Sequence, residues 1–338
     1  MNIRSMRLQI LVPHYLEPAE TVSLLLDSIA VQQGIDFDEI EVVICHDGPR
    51  PPILVFERLY PFHIQQIRSS NEGVSGTRNV ALDYATAEYV MFCDCDDMFL
   101  NNCALWQVFR EMNRGFDVLA SKFIEEVVHS RTGETKYIVH DMDGVFVHGK
   151  VYRRHYLQDN GIKWDNELTE HEDVYFNLLA LNLTKNVKYL SDPFYLWKWN
   201  KNSETRRDEK FMLRTYEQMV DSSDALVGEF LKRGLEDKAM FYAVYLLYDA
   251  YYTMNRPSWV SGENAEYRER AELRVAKYYE KYGSLWHSAP PTDRMKISNE
   301  ARGTNIAGGM MMETITIDDW LKRLKGMKLA RDLLISNG

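Results

Sequence analysis

Continuous apolar runs alternate with segments whose apolar residues recur at helical spacing over the first 123 residues. The predicted strands are residues 8–12, 40–45, 64–68, 89–93 and 116–123, and the predicted helices are residues 19–33, 74–87 and 98–110. Unbroken apolar runs are typical of parallel strands that are buried on both faces. The order predicts an α/β fold with a mostly parallel sheet flanked by helices.

The pattern changes beyond residue 123. Two strand-like segments around Gly133 predict a hairpin, a helix is predicted at 168–182, and strands are predicted at 187–190 and 194–199. Further helices are predicted at 211–233, 236–255, 263–282 and 316–334, and a loop at 283–309. The chain is therefore expected to end in an α-helical C-terminal region, which could form an oligomer contact.

In the last predicted helix, leucines recur along one side, and basic residues lie between them in the sequence. These leucines are Leu321, Leu324, Leu329 and Leu333. This pattern allows a peripheral membrane contact, and an ordinary surface helix fits it as well. No stretch approaches about 18 apolar residues in a row, so a membrane-spanning helix is not expected. The expected location is the cytoplasm, with peripheral contact at the inner face of the membrane.

The net charge and the spacing of the cysteines argue against a nucleic-acid-binding surface and a zinc site. The net charge of -10 argues against a surface that grips phosphate backbones, so nucleic acid is not an expected partner. Cys93 and Cys95 are one residue apart, which is not the spacing of a zinc site. The cysteines are therefore expected to be reduced thiols.

Asp94, Asp96 and Asp97 directly follow the predicted strand at 89–93. In open α/β sheets, ligands bind just outside the carboxyl ends of the strands. Two Asp side chains separated by one residue can both reach one hard cation and its bound phosphates. The alternative is a solvated turn in which Asp97 caps the next helix.

Other polar stretches follow predicted strands or open a predicted helix, and with the acidic turn they form an ordered set. The set is ILVPHY, ICHDG, NEGVSGTRN, FCDCDD, GKVYRR and HEDVYF. It resembles the inverting glycosyltransferase family 2 over about residues 6–206. The resemblance implies a GT-A nucleotide-diphospho-sugar transferase fold at 1–206, with a nucleotide-binding half at about 1–123 and an acceptor half at about 124–206. The helical region at 207–338 would follow.

The resemblance implies that the first strand loop (Pro13, His14, Tyr15) and Asp47 hold the nucleotide base of the donor. A UDP-sugar is the expected donor. The family usually has two Asp residues where this chain has His46 and Asp47, so base recognition is expected to differ here. The alternative for Asp47 is a simple Asp-Gly turn.

The diphosphate of the donor is expected to contact Arg78, which sits behind a glycine-rich helix entry, and Ser203 and Arg206 in a closing loop at 197–207. A surface ion pair is the alternative for Arg78, and a basic linker is the alternative for the loop. Many relatives carry a His in this loop. This chain does not, which weakens the case for a third protein ligand to the metal.

The resemblance implies that Asp94 contacts the ribose and the metal ion, and that Asp96 ligates the metal ion directly. The cation would be Mn²⁺ or Mg²⁺, because the available ligands are hard oxygens. The resemblance also implies that Asp173 is the general base. Glu172 would lie beside it and either contact the acceptor or raise the pKa of Asp173. The alternative is that these two carboxylates only complement a helix dipole.

The expected function is therefore a metal-dependent inverting glycosyltransferase that uses a nucleoside-diphosphate sugar. Its acceptor would be a hydroxyl of a cell-surface glycan, a polymer or a lipid-linked sugar. The alternative is a non-catalytic module of the same fold that binds a nucleotide sugar or a glycan.

Overall fold

The computed structural model describes residues 6–70, 73–129, 132–141, 143–201, 203, 210–305 and 315–336. The chain divides into two compact units, Met1–Ser203 and Glu204–Gly338. The nucleotide-binding and acceptor halves within residues 1–206 stay a prediction.

The first unit contains the strands of the sheet and several flanking helices. Its strands are β1 (Leu8–His14), β2 (Ile40–His46), β3 (His63–Arg68), β4 (Tyr89–Phe92), β5 (Met98–Phe99), β6 (Val118–Val128), β7 (Thr135–His140), β8 (Lys150–Arg153) and β9 (Val187–Trp197). Its helices are α1 (Ala19–Ala30), α2 (Gly73–Tyr84), α3 (Ala104–Met112), α4 (Arg154–Asp159) and α5 (Glu172–Asn182).

The described strands form one sheet in the order β3-β2-β1-β4-β8-β6-β9-β5, and β7 pairs with β6. The strands from β3 to β4 are parallel, as predicted from their apolar runs. Beyond β4 the sheet is mixed, because β8 is antiparallel to both β4 and β6 while β6 is parallel to β9. β1, β2 and β4 are almost entirely buried, so polar residues that follow them are delivered to one edge of the sheet.

Four of the elements predicted after β4 differ from those in the structure. The predicted helix at 98–110 begins only at Ala104, because Met98–Phe99 pairs with β9 instead. Asp97 consequently caps no helix. The predicted helix at 168–182 begins later, at Glu172, and the two strands predicted at 187–199 are one continuous strand, β9.

The second unit is helical, as expected. Its helices are α6 (Phe211–Lys232), α7 (Glu236–Met254), α8 (Pro257–Val260), α9 (Ala265–Ser288), α10 (Pro291–Asn305) and α11 (Ile317–Ser336). The loop predicted at 283–309 is wrong over most of its described residues, 283–305: α9 continues to Ser288, and a proline at the first position of α10 is compatible with a helix start. Residues 306–309 lie outside the described residues.

The leucines of α11 differ in their exposure to solvent. Leu321 and Leu324 are buried within the unit, whereas Leu329 is exposed. A membrane contact through this helix stays a prediction, and the buried leucines could not contribute to it without rearrangement. Among the described residues, no helix has the length and apolar character needed to cross a bilayer.

Candidate active site

Arg78 lies between the two acidic stretches of the site. It belongs to α2 and is only 4% exposed. Its Nη2 donates to Asp94 Oδ1 at 3.0 Å, and its Nη1 donates to Glu172 Oε1 at 2.8 Å. The ring of Trp164 covers the guanidinium, with 4.5 Å from Cζ to the ring centroid. One buried cation therefore joins the turn after β4 to the start of α5, which rules out a surface ion pair.

The carboxylates in the turn after β4 have different surroundings. The Asp94 side chain is 34% exposed. Asp96 is half-buried, and its Oδ2 accepts from Asn200 Nδ2 at 2.8 Å. Burial raises the pKa of Asp96, and the Asp94 carboxylate raises it further. Because the negative charge of Asp96 is unfavourable in these surroundings, a nearby divalent cation would stabilise it.

Asp97 is fully buried and supports this turn from behind. Its Oδ2 accepts from Tyr195 Oη at 2.6 Å, and its Oδ1 accepts from the Lys198 N–H at 2.9 Å. Tyr195 Oη also accepts from the Asp94 N–H at 3.3 Å. Asp97 therefore ties the acidic turn to the end of β9.

The turn fits a divalent cation, and His148 adds a nitrogen donor that was not among the predicted site residues. Asp94, Asp97 and His148 each offer one ligand atom, and these atoms lie within 4.8 Å of one another. His148 is 4% exposed, and its Nδ1 makes no hydrogen bond within the described part of the chain, although it lies 3.6 Å from Asp97 Oδ2. A buried nitrogen without a partner is unfavourable unless a ligand binds it. Asp94 belongs both to this group and to the predicted pair of Asp94 and Asp96.

Glu172 and Asp173 open α5 close to Arg78. Among the described residues other than glycine, His171 alone has a positive φ, of 59°, and it directly precedes them. Such backbone conformations have an energetic cost and cluster at functional sites. Burial raises the pKa of Asp173 to about 8, the Glu172 carboxylate adds to the rise, and Arg78 opposes it. A carboxylate with a raised pKa is suited to accept a proton near neutral pH.

Lys150 is a buried cation on the same side of the site, at the start of β8. Its Nζ donates to the Phe146 carbonyl oxygen and lies 3.7 Å from Asp143 Oδ1. Burial lowers its pKa to about 8, against the raising effect of Asp143. Lys150 also lowers the pKa of Asp173, so the two groups influence each other.

The predicted base-binding residues gather at the ends of β1 and β2. Asp47 Oδ1 accepts from Ser69 Oγ at 3.0 Å, and the Asp47 N–H donates to the His14 carbonyl oxygen at 2.8 Å. Tyr15 is exposed and Pro13 is half-buried. His14 is buried, and its ring contacts His46. The donor-binding roles of these residues stay predictions.

The closing loop is only partly described. The Ser203 N–H donates to the Asn200 carbonyl oxygen at 3.1 Å, which places Ser203 close to the residue that holds Asp96. Arg206 lies outside the described residues, and so do Asn71 and Glu72 of the glycine-rich block. The contacts predicted for Ser203 and Arg206 with the diphosphate stay predictions.

Sequence reasoning missed His148, Trp164 and Tyr195. Tyr195 and His148 lie within apolar segments, where an aromatic or a single polar residue is normally read as part of the core. A lone His in the apolar run GVFVHGK was the available signal. Trp164 gave none, because only the fold brings it over Arg78.

Sequence comparison identifies relatives of this chain. Residues 9–169 match the model for glycosyl transferase family 2. The chain is 27% identical over 248 residues to the poly(ribitol-phosphate) beta-N-acetylglucosaminyltransferase TarS of Staphylococcus aureus, covering 69% of this chain and 42% of TarS. It is 23% identical over 302 residues to a poly(ribitol-phosphate) beta-glucosyltransferase of Bacillus spizizenii, covering 84% of this chain and 45% of that protein. The chain thus spans less than half the length of these two relatives.

Structure comparison agrees with the sequence. The crystal structure of S. aureus TarS 1-349 superposes with a TM-score of 0.60 at 19% identity, covering 97% of this chain and 92% of that chain. A likeness at this identity shows the fold, and the family follows from the sequence match. Residues 9–169 therefore form a glycosyl transferase family 2 domain, and the chain has the GT-A fold.

Proposed function

We propose that this protein transfers a sugar, with inversion, from a nucleoside-diphosphate sugar to a hydroxyl of a cell-surface polymer. The observation that carries the proposal is Arg78, which contacts both Asp94 and Glu172. It brings the acidic turn expected at the donor and the acidic pair expected at the acceptor into one cluster. The names of the two relatives support a poly(ribitol phosphate) acceptor and either N-acetylglucosamine or glucose as the sugar.

Asp173 is the general base in this proposal. It accepts the proton of the acceptor hydroxyl while the hydroxyl oxygen bonds to the anomeric carbon of the sugar. The bond from that carbon to the diphosphate oxygen breaks at the same time, and the diphosphate leaves. The Glu172 carboxylate, held by Arg78, raises the pKa of Asp173 and so favours uptake of the proton.

Asp94 and Asp96 are the proposed ligands of a Mn²⁺ or Mg²⁺ ion, with His148 within reach of Asp94. When bound, the ion neutralises charge on the leaving diphosphate. Arg78 lies beside Asp94 and can stabilise the same charge. Tyr195 and Asp97 hold the turn so that these side chains keep their positions.

Transfer assays test the proposal directly. Wild type would be incubated with Mn²⁺, UDP-N-acetylglucosamine or UDP-glucose, and poly(ribitol phosphate), and both UDP release and sugar on the polymer would be measured. Asp173→Asn and Asp96→Ala should each lower transfer by about a hundredfold or more. Asp83→Asn, on the exposed side of α2, is the control and should match wild type.

Two other results would change the conclusion. If wild type transfers as poorly as both variants across donors and acceptors, the protein is not this enzyme. If it then still binds UDP or the polymer, the non-catalytic binding module becomes the better description.

A further inference from the structure

We propose that the buried His14–His46 pair holds an extra proton, carries one positive charge, and positions the donor-binding residues Tyr15 and Asp47. The pair would be a positioning device at the base-reading end, where this chain differs from its family. Its functional part rests on the proposed function, whereas its charge can be tested without any donor.

The two imidazoles form the middle of a continuous hydrogen-bonded chain. His14 Nδ1 and His46 Nδ1 lie 2.9 Å apart. On the outer sides, His46 Nε2 lies 2.9 Å from Gln66 Oε1 and His14 Nε2 lies 2.8 Å from the Glu17 carbonyl oxygen. His14 is 2% exposed and His46 is 0% exposed, so water does not complete these contacts.

Both outer contacts require a proton on the ring nitrogen. A carbonyl oxygen can only accept, so His14 Nε2 must donate to Glu17. Gln66 is held in one orientation because the Leu54 N–H donates to its Oε1 at 2.8 Å and its Nε2 donates to the Leu54 carbonyl oxygen at 3.0 Å. Gln66 Oε1 is therefore also an acceptor, and His46 Nε2 must donate to it.

The inner contact then needs a further proton. Two neutral imidazoles would use their only ring protons on the outer contacts and would point two lone pairs at each other across 2.9 Å. A proton between the Nδ1 atoms turns this repulsion into a hydrogen bond and leaves the pair with one positive charge. We place this charge on His14, because the Glu17 carboxylate lies 3.9 Å from His14 Nε2 whereas the charge of Arg68 acts on His46.

The Glu17 carboxylate lies close to this buried charge and also binds the backbone of Tyr15. Its Oε2 lies 3.9 Å from His14 Nε2 and accepts from the Tyr15 N–H at 2.9 Å. The Asp47 N–H donates to the His14 carbonyl oxygen at 2.8 Å. The charged pair therefore connects Gln66 on β3 with the two residues expected to meet the nucleotide base.

The charge is tested by ¹⁵N NMR of the full chain labelled at histidine, at neutral pH. Wild type should show protons on both ring nitrogens of His14 and only on Nε2 of His46. Gln66→Met removes the acceptor of His46 Nε2, so the His46 proton should move to Nδ1 and His14 should become neutral. Gln65→Met, the neighbouring half-buried position on β3, should leave the wild-type pattern unchanged. A single ring proton on each histidine in wild type, or a charge that persists in Gln66→Met, would overturn the proposal.

The positioning role is tested by calorimetric binding of UDP in the presence of Mn²⁺. Gln66→Met should weaken UDP binding by about tenfold, as expected for loss of a charge-assisted contact, while Gln65→Met stays within about twofold of wild type. Equal binding by both variants would overturn the positioning role. Failure of wild type to bind UDP would instead count against the proposed donor, because the NMR result uses no ligand.

Discussion

Arg78 and Glu172 are 94 positions apart in the chain, yet Arg78 Nη1 donates to Glu172 Oε1 at 2.8 Å. The other arm of the same guanidinium binds Asp94. The site thus has a cation at its centre and carboxylates on both sides. We expect its chemistry to depend on a side chain that can make both contacts at once.

Arg78→Lys tests this dependence. A lysine keeps the charge but lacks the planar fork, so it cannot pair with Asp94 and Glu172 in the same way. We expect kcat/KM for transfer to fall by about a hundredfold. Arg110→Lys on the surface of α3 is the control. A rate within about threefold of wild type for Arg78→Lys would show that the two contacts are not needed for catalysis.

The rate of transfer should depend on the ionisation of Asp173. Its pKa is raised to about 8, and only the ionised form can accept a proton, so kcat/KM should rise as the pH increases toward about 8 and level off above it. Glu172→Gln removes one of the causes of the raised pKa, so the rise should move to lower pH. An unchanged pH profile in Glu172→Gln would assign the profile to another group.

Asp173 should also make stability depend on pH. The folded protein keeps the Asp173 proton up to about pH 8, whereas the unfolded chain loses it near a pKa of about 3.9. Between these values the folded state binds more protons, so the stability contributed by this group falls as the pH rises. An asparagine at this position cannot ionise. The Tm of Asp173→Asn should therefore increase relative to wild type between about pH 5 and about pH 8, with Asp83→Asn showing no such trend.

Direct Mn²⁺ binding, measured without donor or acceptor, should locate the cation. Asp94→Asn and Asp96→Asn should each weaken Mn²⁺ binding by about tenfold or more, because each removes a charged oxygen ligand. His148→Gln reports whether the imidazole takes part. If His148→Gln weakens binding and Asp96→Asn does not, the ion lies deeper, beside Asp97. Wild-type affinity in all three variants would exclude a cation site at this turn.

Tyr195→Phe should destabilise the first unit. It removes the hydroxyl that donates to Asp97 Oδ2 at 2.6 Å and leaves a fully buried carboxylate without this donor. The expected loss is about 1–3 kcal/mol in the free energy of unfolding, measured by urea denaturation. Tyr189→Phe, at an exposed position of the same strand, should be close to neutral. A similar loss in both variants would mean that the bond to Asp97 contributes little.

The sequence was most informative where local pattern decides structure. β1, β2 and β4 are buried on both faces, so their continuous apolar runs located them to within a few residues. The strand Met98–Phe99 was missed because its pairing with β9 is a long-range contact that leaves no local pattern. Pro290 and Pro291 suggested a loop, although a proline is equally compatible with the first turn of a helix.

Site residues were likewise identified where they lie in a sequence motif, and missed where long-range packing places them. Asp94, Arg78 and Glu172 were identified because their motifs occur in a family order, and the fold brings them together. The buried neighbours His148 and Tyr195 were not identified, since their position depends on how β8 and β9 pack against the turn. The His14–His46 contact also requires the parallel register of β1 and β2, in which these two residues lie side by side.

The bonds made by Asp97 have a consequence for how the acidic turn can move. Asp97 accepts both from Tyr195 and from the N–H of Lys198, while Asn200, two residues further on, holds Asp96. These hydrogen bonds couple the acidic turn to residues 198–200. Residues 198–200 therefore cannot move away without breaking bonds that stabilise the turn. If Asp96 ligates the cation as we propose, opening this side of the site would weaken the binding of the diphosphate in the same movement.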